Sequence, residues 1–146
     1  MLTFYSLLAL LGRCMLVTIF LMAAIGQKIP KFSDVAEYMA AEGVPAPKIM
    51  LGGAIAFLIV GSISVAVGFK ARIGAGLLMV FLILATYYFH DFWTIINQDM
   101  AAQQEKQEQM IQFMKNLSMA GAMLLIIGNG AGTMSVDSLL RSRKGP

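Results

Sequence analysis

Four apolar runs, each about as long as a hydrocarbon layer is thick, dominate this sequence and leave few options for its fold. They fall at residues 4–25, 49–69, 73–93 and 113–130. A helix needs roughly 20 mostly apolar residues to cross a bilayer. Only helices and closed barrels satisfy every backbone polar group inside one. The composition agrees, with 58% of residues hydrophobic and 13% charged, about half the charged share of an ordinary soluble domain. A soluble core of 146 residues could not hide so much apolar surface. The expected fold is all-α: a polytopic membrane protein with a four-transmembrane-helix bundle, one domain over residues 1–146.

The links carry the remaining organisation. Gln27, Lys28, Pro30 and Lys31 end the first run. Ser33 is placed to cap a short helix, with Asp34 and Glu37 in its first turn. Val35, Tyr38 and Met39 share one face of it, as a helix lying at the membrane interface requires. Gly43, Pro45 and Pro47 stop it. The polar stretch from Asn97 to Gln112 lacks Pro and Gly and reads as a helical lead into the last span, which Gly128, Gly130 and Gly132 break. Small residues recur at Gly52, Gly53, Ala56, Gly61, Ser62, Ser64, Gly74, Gly76 and Gly121; such residues let helix backbones approach closely in lipid.

With four spans, both termini share a side with the 70–72 link. That side carries Lys70, Arg72, Arg141, Arg143 and Lys144, and the other carries Lys28, Lys31, Lys48, Lys106 and Lys115. The counts tie, but the first set is packed into much shorter segments. The positive-inside rule then predicts both termini in the cytoplasm. The N-terminal run lacks a preceding basic region and a clear cleavage site, so it reads as a retained span.

Few residues offer chemistry. Arg13 falls inside the first run, where a lone charge is costly and points to a site with a partner. Alternatively the span starts later and Arg13 snorkels to the interface. His90 is the sole histidine and Cys14 the sole cysteine; no bis-histidine haem or cysteine metal site can form within one chain. His90, Asp91 and Trp93 close the third run, and Gln109, Lys115 and Asn116 open the fourth. Antiparallel neighbours bring these ends together, either as a rim for a polar head group or as a structural knot. Asp91 is the nearest acceptor for a buried Lys115 ammonium. The methionines read as packing material rather than ligands. The basic residues form no stripe that would track nucleic-acid phosphates.

Several of these stretches resemble the DoxX family of small four-helix membrane proteins. FHDFW (89–93) and QFMKNLSMAGAMLL (112–125) are similar to that family's passage from third to fourth helix. GAGTMSVD (130–137) is similar to its glycine-rich exit, and Arg13, Lys28, GVP (43–45) and GFKAR (68–72) extend the likeness. Many members carry a Glu in the second helix where Leu58 stands here, so Arg13 must find a different partner. The resemblance implies a bundle in the bacterial cytoplasmic membrane with both termini inside. It also implies association with redox assemblies, including sulfur-compound:quinone oxidoreductases.

Three functions follow as expectations. One is an anchoring subunit of a larger, quinone-linked redox or other membrane complex, without its own cofactor or independent catalysis. Its partners would be lipids and other membrane subunits or a second copy, not nucleic acid. The second is a redox enzyme component in its own right, which the inventory of one His and one Cys disfavours. The third is a lipid- or small-molecule-binding membrane module. A quinone is the one cofactor that the resemblance admits.

Overall fold

The computed structural model describes residues 4–90, 92–96 and 99–143. Among the described residues its regular elements are all helical: α1 (Phe4–Leu21), a π-helical segment (Met22–Lys28), α2 (Phe32–Ala41), α3 (Pro47–Val67), α4 (Ala71–Phe89), α5 (Met100–Asn129) and α6 (Val136–Arg143). Four helices are long and apolar enough to cross a membrane: Phe4–Lys28, Pro47–Val67, Ala71–Phe89 and Met100–Asn129. Within each, only 17–28% of the most apolar stretch is buried. Most apolar surface therefore faces outward, the reverse of a soluble bundle.

The boundaries differ from the sequence reading where local hydrogen bonding overrides hydropathy. The first span does not stop at Ile25 but continues as a π-helix to Lys28. There the Ile29 N–H reaches back to the Ala24 carbonyl, five residues earlier, a wider ring of the kind that accommodates local helix strain. Pro30 follows and has no N–H to donate. Ser33 lies inside α2 rather than capping it; Lys31 precedes the helix, with no side-chain cap. The last span is a single helix of 30 residues beginning at Met100, about 45 Å long. Its first turns therefore extend beyond a hydrocarbon layer of about 30 Å. Asp99 caps it by accepting the Ala102 N–H at 2.8 Å. Gly128 stays helical, and the break comes at Gly130 with φ +78.

α2 ends in a Schellman turn. The Val44 N–H reaches Met39 O and the Gly43 N–H reaches Ala40 O, with Gly43 at φ +76. Ala36, Met39 and Val44 then pack with Leu51 of α3, while Tyr38 stacks on Phe89 of α4 at 5.5 Å. The short helix is thus pinned across the ends of α3 and α4.

α1 packs on α3, α3 on α4, and α4 on α5. Val17, Phe20, Leu58, Leu78, Met123 and Ile126 meet in the shared core. The tightest approach is between α3 and α4. A Cβ on Gly61 would lie 2.9 Å from the Gly74 carbonyl, and one on Gly74 would lie 2.9 Å from the Gly61 carbonyl. Lipid tails give helices no hydrophobic reason to associate, so this backbone proximity is what holds the pair.

Replacing Gly74 with Ala should therefore lower stability by about 1–3 kcal/mol, measured by denaturant titration in detergent. Gly52→Ala should be neutral or mildly stabilising, since nothing lies within 4 Å of a Cβ there.

Candidate functional site

The bundle has two polar ends. The link end gathers the start of α1, the turn between α3 and α4, and the segment from α5 into α6. A helix in lipid leaves its last carbonyls without donors, and here side chains from elsewhere in the chain supply them. Gly68 ends α3 with φ +71, and both its N–H and that of Phe69 bond Ser64 O. That leaves Val65 O for Arg13, whose Nη1 donates to it at 3.2 Å. Arg13 Nη2 donates to Met134 O at 2.5 Å. Arg13 is 5% exposed, and its guanidinium sits at the negative end of the α3 dipole. Arg72 does the same for α5, donating to Gly128 O at 3.2 Å.

Arg13 thus lies level with the α3 exit, deeper in protein than a snorkelling residue and nearer the interface than a mid-span charge. Its partners are backbone carbonyls. Leu58 is fully buried in the apolar core.

The GFKAR and GAGTMSVD stretches, far apart in sequence, meet here. The Asp137 carboxylate accepts the Lys70 N–H at 3.0 Å, and the Asp137 N–H donates to Gly68 O at 3.0 Å. Ser135 donates to Gly132 O at 2.6 Å and accepts the Ser138 N–H at 3.2 Å, which starts α6. Ser6 meets Thr133 at 2.7 Å. A Cβ on Gly68 would collide with Arg13 and Ser135, so glycine is required there for space as well as for φ.

The opposite rim is only partly the expected cluster. His90 Nδ1 lies 2.7 Å from Gln109 Oε1. An amide oxygen only accepts, so His90 donates from Nδ1. Asn116, buried, donates to Thr86 Oγ1 at 3.0 Å. Trp93 and Phe92 pack edge-on against Phe113. Among the described residues, Lys115 bonds none of these. It is exposed and bonds Gln112 on its own helix, its side chain rotated by about 100° around α5 from that of Asn116. Asp91 lies outside the described residues. Among the described residues, His90–Gln109 and Thr86–Asn116 bridge α4 and α5.

Lys28, read from sequence as the end of a span, has a half-buried side chain with its ammonium 5.4 Å from the centre of the Phe81 ring, a cation–π distance. Nothing in the linear pattern marks that contact, which is made from the last residue of the π-helix. Ser62 Oγ and Arg13 Nε are buried without a hydrogen-bond partner among the described residues. Among those residues no group of three or more His, Cys, Asp or Glu is arranged to hold a metal.

The DoxX family model matches residues 8–91. The chain belongs to the DoxX family. The matched residues cover the first three spanning helices of this DoxX protein, so the likeness seen in the 112–137 stretches lies outside them. The chain is 29% identical to inner membrane protein YphA of Escherichia coli K12 over 130 residues, covering 89% of this chain and 88% of that protein. It is 30% identical to inner membrane protein YqjF of the same organism over 135 residues, covering 92% of each. No solved structure matches it. With four apolar helices and these homologues, it is a multi-pass inner-membrane member of the DoxX family.

Arg13→Ala should cost roughly 2–3 kcal/mol, the worth of hydrogen bonds from a charged donor, in detergent denaturation. Arg13→Lys should recover only part, since an ammonium lacks the planar fork that reaches two carbonyls. Ser62→Ala, which removes a hydroxyl without a partner among the described residues, should leave stability unchanged or raised.

Proposed function

We propose that this protein is an integral membrane subunit of a larger, quinone-linked redox or other membrane complex, anchoring partners without a cofactor of its own. The observation that supports this is the uneven use of its small residues. Gly61 and Gly74 are consumed inside the bundle, whereas Gly52, Gly53 and Gly121 are exposed, with nothing within 4 Å of where a Cβ would stand. Outward glycines on a spanning helix let another helix approach closely. Arg13 fits the same reading, because its charge serves the frame rather than an open pocket. The redox association rests on the family resemblance.

Purification under native conditions followed by mass spectrometry tests the proposal. Membrane redox subunits should co-purify in stoichiometric amounts and be lost from Gly53→Leu or Gly121→Leu protein that still folds. A lone chain carrying a tightly bound cofactor would point to an enzyme. A lone chain carrying only lipid would point to a lipid-binding module.

The structure brings the start of α1, the 68–70 turn and α6 to one end of the bundle. We place that end in the cytoplasm, because it carries Lys70, Arg72, Arg141 and Arg143 in short segments. A reporter fused after Pro146 should be active only as a cytoplasmic reporter; periplasmic activity would reverse the topology.

A further inference from the structure

The link end carries two clefts that share a wall. The first, about 400 Å³, lies between the α3–α4 turn and the 129–141 segment, and its lining includes Lys70, Arg72 and Arg141. One carboxylate, Asp137, also lines it, and that carboxylate accepts the Lys70 N–H. Three cations therefore face one acid. The second cleft, about 320 Å³, runs along the outer side of α3 and α4 between Val60, Ile63, Val67, Ile73 and Leu77. Lys70 and Ile73 line both.

The junction is built, not incidental. Lys70 holds a left-handed backbone at φ +49, a conformation that a non-glycine residue keeps only when its surroundings enforce it. Asp137 supplies that constraint through the Lys70 N–H. The Lys70 ammonium lies 5.7 Å from the Phe69 ring centre, and Phe69 lines the apolar cleft. The depth also suits a lipid head group, because α3 ends and α4 begins here. Next to it, α6 exposes Leu139 and Leu140 beside Arg141 and Arg143, the pattern of a helix lying at the interface.

We infer that the two clefts form one site for an anionic phospholipid. Its phosphate lies among Lys70, Arg72 and Arg141, and one acyl chain follows the groove between α3 and α4. The recognition chemistry is a phosphoryl anion; the continuous apolar groove assigns that anion to a lipid rather than to free phosphate. The site is independent of any partner subunit.

Native mass spectrometry of the purified full chain in detergent tests this, using phosphatidylglycerol and phosphatidylcholine with identical acyl chains. Phosphatidylglycerol should be retained preferentially. Lys70→Gln and Arg141→Gln should each weaken its retention about fivefold without changing the unfolding temperature. Ile63→Trp, which fills the groove, should weaken it as well. Equal retention of both lipids, or indifference to the Lys70→Gln/Arg141→Gln pair, would overturn the site. Displacement by inorganic phosphate at equal concentration, with Ile63→Trp having no effect, would show an anion pocket alone and overturn the lipid assignment. A quinone or a protein helix held in the groove regardless of both charges would overturn it too.

Discussion

The helix-end carbonyls left without donors in their own helix govern how this chain closes. In lipid, each helix end must find its hydrogen-bond donors within the protein. At the exit of α3 the turn geometry leaves Val65 O over, and Arg13 from α1 takes it. At the exit of α5, Gly128 O is taken by Arg72 from α4. Each arginine therefore ties its own helix to the end of another, Arg13 across non-consecutive helices and Arg72 across the α4–α5 pair. Arg13 alone joins α1, α3 and the segment after α5. The DoxX-like motifs at 68–72 and 130–137 meet because they are the two sides of this closure.

Between the ends, proximity does the work that hydrophobic burial does in water. Gly61 and Gly74 allow α3 and α4 to touch backbone to backbone, so dispersion and weak polar contacts act at short range. At the far rim, His90–Gln109 and Thr86–Asn116 fasten α4 to α5. The molecule is thus braced at both ends and pressed together near the link, while most of its apolar surface is left to lipid or to other helices.

How much of this was legible in the sequence varies by residue. Hydropathy alone marks four spans and a polar lead into the last, and all are present. Arg13 stands out because a charge inside an apolar run is costly, but its partners are main-chain carbonyls that carry no sequence signature. The rim was half legible: His90 and Asn116 do bridge helices, through Gln109 and Thr86. Lys115, adjacent to Asn116, bonds Gln112 of its own helix among the described residues, and its expected partner Asp91 lies outside them. Lys28 reads as a boundary in the sequence, whereas its ammonium lies over the Phe81 ring of α4, a contact that no local pattern shows.

By itself, the sequence determined that this chain is an all-helical membrane protein, because run length and composition answer directly to bilayer thickness and to the cost of an unpaired backbone group. It also marked which residues were unusual: Arg13, His90, Asn116 and the glycines. The tertiary structure decided their roles. Whether a glycine joins two helices or faces outward depends on which side of its helix meets a neighbour. Whether an arginine is a site or a brace depends on which distant carbonyl lies within its reach. Those distances are set by helix packing across separations such as Arg13 to Met134, which no local pattern along the chain encodes.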